Sequence, residues 1–100
     1  MATVHIENVV RDFDAWKAAF DKFEAFRAQQ GVRSYRVYRS VAEPARVTVD
    51  LDFDSEAEAT AFLDSLAKIW QSPQSQEVLV SHSRPEILDV VVDERQLGFA

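Results

Sequence analysis

The sequence predicts an α+β domain in which an antiparallel sheet is covered on one face by two helices. Three observations support this class. The chain has 100 residues, enough for one domain but not for two. Its apolar residues follow strand-like and helical spacing in the order strand, helix, strand, strand, helix, strand. Its composition, 47% hydrophobic and 28% charged, can form a core and differs from that of disordered chains.

Charge and cysteine content exclude several functions. A net charge of −6 disfavours a nucleic-acid partner, because such surfaces are basic. The absence of cysteine removes thiolate nucleophiles, disulfides and thiolate metal sites. No apolar run approaches the ~18 residues that span a bilayer, and the first residues do not resemble a signal peptide. We therefore expect a cytoplasmic protein with no membrane partner.

The first strand and helix are predicted by a change of period. Residues 2–10 alternate between apolar and polar side chains, as in a half-buried strand. A helix is predicted over 12–30, with Asp12 as its N-cap and Gly31 just past its end. Its stripe repeats at intervals of three and four residues through Phe13, Trp16, Phe20, Phe23 and Arg27.

A hairpin follows the first helix. Residues 33–41 and 46–53 both alternate, and Pro44 interrupts the pattern between them. The second strand of this hairpin has the clearest inward-facing set: Val47, Val49, Leu51 and Phe53.

A second helix is predicted over 55–70. Ser55 and Glu58 have the spacing of a capping box, and Pro73 closes the segment. The apolar residues at helical spacing are Phe62, Leu63, Leu66, Ile69 and Trp70.

The C-terminal part is harder to interpret. Residues 72–84 are ambiguous, and one interpretation is a short helix over 76–80 followed by a loop. A valine-rich final strand is predicted over 86–93, and residues 94–100 form a tail that either frays or packs on a neighbour. The residues of the final strand expected to face the core are Leu88, Val90 and Val92.

This order of elements predicts a ferredoxin-like βαββαβ topology, with four antiparallel strands in the order 4-1-3-2 and both helices on one face. The opposite face carries Tyr38, Ile87 and Val91 among charged side chains. A plain solvated face is one interpretation. We favour the other, in which a second copy of the chain covers this face and forms a homodimer.

The same open face holds a candidate chemical cluster. His5, Asp50 and Asp52 belong to strands that are neighbours in the predicted order, and together they could bind a metal or act as a general base. Cross-strand pairing with Arg36 or Arg46 is the alternative that we favour. We therefore predict no metal site, and the sequence leaves open whether the three residues cluster.

The order of elements and two segments, DFDAWKAAF over 12–20 and VTVDLDFDSEAEA over 47–59, resemble the dimeric α+β barrel superfamily. The antibiotic biosynthesis monooxygenase type is the most similar. The resemblance implies a homodimer whose sheets pack face to face, with pockets between sheet and helices. Enzymes of the family include cofactor-free oxygenases of polycyclic phenols and quinols, and haem-degrading enzymes.

The resemblance also implies candidate site residues. Haem-degrading members use an asparagine in the first strand, a tryptophan in the second helix and a histidine shortly after it. Asn8, Trp70 and His82 fit that order and are the predicted catalytic residues. Local alignment places Phe62, rather than Trp70, at the tryptophan position. Each residue also has a structural interpretation: a strand-end hydrogen bond, a core aromatic ring or a loop histidine.

A phenol oxygenase requires an apolar pocket, for which Trp16, Tyr35 and Phe62 are the substrate-binding candidates, with simple core packing as the alternative. The resemblance therefore predicts cofactor-free oxygenation of a small aromatic or polyketide-like molecule. The alternatives are ligand binding without turnover, a purely structural dimer, and haem binding or degradation.

Overall fold

The computed structural model describes residues 1–93, and the predicted tail over 94–100 lies outside that range. The sheet has the order β2-β3-β1-β4, and β5 also pairs with β1. All of these pairs are antiparallel. The elements are β1 (Ala2–Val10), α1 (Phe13–Lys22), α2 (Glu24–Gln29), β2 (Ser34–Arg39), β3 (Arg46–Phe53), α3 (Glu56–Trp70), α4 (Pro73–Val78), β4 (Leu79–His82) and β5 (Glu86–Asp89).

The predicted α+β class and strand order are confirmed, but two short strands share the fourth position of the sheet. β4 pairs with the end of β1 near Asn8, and β5 pairs with its beginning near Val4. The predicted loop over 81–84 is therefore partly wrong. The two strands are separated at Pro85, since proline has no N–H for the ladder. The short helix before them begins at Pro73, earlier than predicted, with Ser72 as its N-cap.

The final strand faces the opposite way from the prediction. Ile87 pairs with Val4 and packs against the core, whereas Leu88 is 41% exposed. The strand ends at Asp89, and Val92 beyond it is also exposed. The predicted inward set is therefore wrong at Leu88 and Val92, while Val90 is half-buried and lies beyond the end of the strand. A shift of register by one residue moves every side chain of a strand to the other face.

The predicted helix over 12–30 is broken at Phe23, whose backbone is not helical (φ −98°, ψ 12°). At the break, the Phe20 carbonyl accepts hydrogen bonds from the Phe23 N–H at 3.2 Å and from Arg27 Nη1 at 2.7 Å. The side chain of Arg27 thus bonds a carbonyl that a continuous helix would pair with the N–H four residues on.

The predicted caps are confirmed. The Asp12 carboxylate accepts a hydrogen bond from the Ala15 N–H at 2.9 Å, and Ser55 Oγ accepts one from the Glu58 N–H at 3.2 Å. Gly31 has a positive φ of 98°, which a residue with a side chain rarely adopts.

The core lies between the helices and one face of the sheet. β1 and β3 supply its centre with alternating buried residues, as the sequence predicts. Over residues 1–93, no helix has the length and apolar character needed to cross a membrane. The buried hydrophobic residues are Ala2, Val4, Ile6, Val10, Trp16, Val47, Val49, Leu51, Phe53, Ala59, Phe62 and Leu66.

Candidate functional site

An apolar cavity of about 90 Å³ lies between the helix-covered face of the sheet and the surrounding helices. It occupies the position that the sequence resemblance implies for a pocket. Its polar lining residues are Asn8, Arg27 and Ser75. The apolar side chains of its wall are Ile6, Trp16, Ala19, Phe20, Phe23, Val49, Leu51, Phe62, Leu66, Ile69, Trp70, Val78 and Leu79.

Helix α1 gives the cavity an aromatic wall. The rings of Trp16 and Phe20 are stacked, with centroids 5.0 Å apart and 25° between their planes. Outside this wall, Tyr35 on β2 meets Phe20 edge to face at 5.4 Å. Such a wall is suited to a planar apolar ligand, because aromatic rings pack well in offset-stacked and edge-to-face arrangements.

The three predicted catalytic residues lie close together. Asn8 on β1 is the cross-strand partner of His82 on β4. The His82 ring stacks on Trp70 at the end of α3, with 3.6 Å between centroids and 13° between planes. Asn8 and Trp70 line the cavity, whereas His82 is exposed and lies behind Trp70 rather than in the wall. Their catalytic roles remain predictions.

The hydrogen bonds of Asn8 and His82 show which of their side-chain atoms are already engaged and which can still accept a proton. Asn8 is 6% exposed, and its Nδ2 donates to the Val47 carbonyl at 3.3 Å. Nδ1 of His82 lies 3.0 Å from the Ser83 carbonyl oxygen. Because a carbonyl only accepts, Nδ1 carries the proton in this bond, and the neutral ring keeps a lone pair on Nε2. Nε2 is therefore the atom of His82 that can accept a proton.

The predicted substrate-binding residues divide into two groups. Trp16 and Phe62 belong to the cavity wall and to the core. Tyr35 lies outside that wall and lines a second depression with Glu24 and Arg27. Its hydroxyl donates to Glu24 Oε1 at 3.3 Å. A role for these residues in binding remains a prediction.

Arg27 is the site residue that the sequence interpretation missed. It is 5% exposed, and its Cζ lies 3.7 Å from the centroid of the Phe20 ring. Nη1 bonds the Phe20 carbonyl, but Nε and Nη2 are buried and have no hydrogen-bond partner among residues 1–93. The signal in the sequence was its position, because Arg27 continues the apolar stripe after Phe23.

Burial sets the electrostatics of this arginine. It lowers the pKa of the Arg27 guanidinium, while the Tyr35 hydroxyl and the Glu24 and Asp21 carboxylates offset part of that effect. Arginine nevertheless stays protonated in proteins, so the cavity wall carries a positive charge.

The candidate cluster on the open sheet face forms two separate sets of contacts. His5 Nδ1 lies 2.6 Å from Asp50 Oδ1. Asp52 instead accepts hydrogen bonds from Thr3 Oγ1 and Ser34 Oγ, each at 2.7 Å. Among residues 1–93, no group of three or more His, Asp or Glu side chains could hold a metal ion. Arg36 lies opposite Asp50 in the register of β2 and β3, as the favoured cross-strand pairing predicts, but the side-chain partner of Asp50 is His5.

The fold and this cavity define a ferredoxin-like α+β protein with an aromatic pocket between sheet and helices. No family profile matches the sequence, and no curated protein matches it. Solved structures do match. A candidate antibiotic biosynthesis monooxygenase from Bordetella bronchiseptica superimposes with a TM-score of 0.72 at 14% identity, over 91% of this chain and 97% of that chain.

Two further solved structures have a similar fold. SnoaB of Streptomyces nogalater, described as a cofactor-independent oxygenase, matches with a TM-score of 0.69 at 12% identity, over 98% of this chain and 97% of that chain. A dimeric ferredoxin-like protein from an uncultured marine organism matches with a TM-score of 0.69 at 14% identity, over 93% and 96%. The chain thus has the ferredoxin-like α+β fold of these solved structures, as predicted.

Proposed function

We propose that this protein binds a small aromatic molecule in the cavity and oxygenates it without a cofactor. One observation carries the proposal: an apolar cavity with an aromatic wall lies beside Asn8, Trp70 and His82. SnoaB, which has the same fold, is described as a cofactor-independent oxygenase. The size and lining of the cavity support binding, and the proton-accepting Nε2 of His82 supports the chemistry.

The proposed reaction converts a phenol and O₂ into a quinone and water. A base removes the phenol proton, and the electron-rich ring transfers an electron to O₂. A C–O bond then forms at the ring carbon opposite the hydroxyl, and cleavage of the O–O bond releases water with the two hydrogens that the substrate loses. In this scheme His82 Nε2 takes the proton, which requires Trp70 to shift so that the phenol reaches the imidazole.

The volume of the cavity sets the ligand class. An engineered protein cavity of ~150 Å³ accommodates benzene. At about 90 Å³, this cavity suits a single ring after a small outward movement of its wall. A porphyrin is several times larger than benzene, so the residues present do not fit a haem inside this cavity. A single-ring phenol is therefore the proposed substrate, rather than a polycyclic one.

The whole chain is proposed to act as one domain of a homodimer joined through the open face of the sheet. That face carries the part-buried His5–Asp50 pair and a buried Asp52, and Tyr38 and Leu88 are exposed beside them. Solved proteins with this fold include dimeric ones. Light scattering should give twice the chain mass of 11.4 kDa, and a mass equal to one chain at micromolar concentration would contradict the dimer.

Oxygen consumption tests the proposed reaction. The probe is a phenol with methyl groups at both ortho carbons and a free para carbon, in air-saturated buffer without added metal or reductant. The expected result is oxygen uptake together with a quinone that carries one labelled oxygen when labelled O₂ is supplied. His82→Phe is the matched variant, because it keeps a flat ring on Trp70 but cannot accept a proton. It should lower the rate by ~10²-fold or more.

The outcomes distinguish the alternatives. Saturable binding of the phenol with no oxygen uptake would reject oxygenation and leave a ligand-binding protein. A Soret band that develops with added haem and is lost in His82→Phe would favour the haem alternative. If no aromatic compound binds, both the assignment of the cavity as a ligand site and the proposed reaction are rejected.

A further inference from the structure

We propose that Arg27 binds the carboxylate of the ligand, so that the molecule taken up by the cavity is a single-ring aromatic carboxylate. The inference rests on the proposed function, because it names the class of molecule that occupies the same cavity. It starts from a buried cation whose hydrogen-bonding capacity is incompletely used.

The two unpaired nitrogens of Arg27 form one edge of the guanidinium. Nε and Nη2 point their N–H bonds in nearly parallel directions, with the spacing of the two oxygens of a carboxylate. The opposite nitrogen, Nη1, is already engaged with the Phe20 carbonyl at 2.7 Å. The free edge of Arg27 is therefore the one that can bind a carboxylate in a bidentate manner, after a movement of the side chains that now shield Nε and Nη2.

Leaving this edge without a partner is costly. Buried donors are almost always paired in proteins, and an unpaired buried group on a charged side chain is more expensive than a neutral one. Arg27 is 5% exposed; the Tyr35 hydroxyl stabilises its charge, but neither nitrogen has a hydrogen-bond partner of acceptable geometry among residues 1–93. A carboxylate, which supplies two negatively charged acceptor oxygens, would remove this cost. A ligand with one uncharged acceptor oxygen would remove less of it.

The surroundings of the guanidinium specify the rest of the ligand. Arg27 lies over the Phe20 ring, which stacks on Trp16 in the cavity wall. If Arg27 binds the carboxylate group of a ligand, the rest of that ligand lies next to aromatic side chains. Because the cavity measures about 90 Å³, that body is a single ring. A hydroxybenzoate combines this acid with the phenol that the proposed oxygenation requires.

Calorimetric titration with salicylate and its neutral analogue salicylamide tests the inference on the whole chain. The two compounds share ring and hydroxyl and differ in charge and in the second acceptor oxygen. The wild-type protein should bind salicylate at least about tenfold more tightly than salicylamide. Arg27→Met should abolish this preference while keeping the binding of salicylamide, and Arg27→Lys should retain only part of it.

Lys68→Met is the matched control, because it removes an exposed cation of α3 outside the cavity and should leave the preference unchanged. Equal binding of both compounds by the wild-type protein would overturn the role of Arg27 but leave the proposed cavity intact. A salicylate preference that survives in a folded Arg27→Met variant would overturn it as well. Failure of both compounds to bind would reject this inference and the aromatic cavity together. If Arg27→Met does not fold, the affinities of the wild-type protein and of Arg27→Lys for salicylate and salicylamide decide the question.

Discussion

The imidazole of His82 stacks on the indole of Trp70, with 3.6 Å between ring centroids and 13° between planes. This contact joins β4 to the end of α3 and covers one side of a residue that lines the cavity. Trp70 therefore lies between the cavity and an exposed histidine.

Removal of this stack should change the environment of Trp70. In a Trp16→Phe background Trp70 is the remaining indole of the two in the chain. There, His82→Ala should shift its fluorescence to longer wavelength and lower the free energy of unfolding by ~1 kcal/mol. His82→Phe keeps an aromatic partner and should change both quantities much less. Identical emission and stability in the two variants would show that the stack does not shield Trp70.

The buried amide of Asn8 should tolerate an apolar replacement better than a charged one. Asn8→Asp places a carboxylate beside the Val47 carbonyl to which the amide now donates. At neutral pH, Asn8→Asp should therefore be less stable in urea unfolding than Asn8→Leu by about 2 kcal/mol.

The same pair of variants carries a pH dependence of known sign. Burial raises the pKa of a carboxyl group in the folded state, so the stability of Asn8→Asp should recover as the pH falls and the group becomes protonated. The difference in free energy of unfolding between Asn8→Asp and Asn8→Leu should therefore become smaller as the pH falls. A difference that grows in acid would contradict the buried placement of this side chain.

Gly31 is the position at which backbone conformation should dominate stability. With φ at 98°, Gly31→Ala should cost about 1–3 kcal/mol in the free energy of unfolding. A Cβ there would also lie 2.6 Å from Glu58 Oε2. That contact is with a flexible side chain, so the same substitution in a Glu58→Ala background should keep most of its cost. Full recovery in that background would show that the contact, rather than the backbone, is responsible.

The parts of the fold that depend on local sequence were predictable. The apolar and polar residues of β3 alternate because they face the core and the open face in turn, although Asp52 on the open face is buried as well. Ser55 caps α3 through a hydrogen bond from the N–H three residues on. The breaks in the pattern depend on distant partners. The orientation of Ile87 and Leu88 is fixed by pairing with β1, which a valine-rich segment with apolar residues of both parities does not specify.

In the candidate site, too, some features follow from the local sequence and others depend on distant partners. The type and order of Asn8, Trp70 and His82 are visible in the sequence, but their proximity arises from the register of β4 against β1. Arg27 was visible as a charged residue on an apolar stripe. That two of its nitrogens lack hydrogen-bond partners within the described part of the chain depends on packing around α2, which no local pattern specifies.

Filling the cavity tests the account most directly. Ala19 lines the cavity, whereas its neighbour Ala18 is exposed on the same helix. Calorimetric titration of the dimethylated phenol should give saturable binding to the wild-type protein and to Ala18→Phe. Binding should be lost in Ala19→Phe, with cooperative thermal unfolding retained. Undiminished binding to a folded Ala19→Phe variant would contradict the assignment of this cavity as the ligand site.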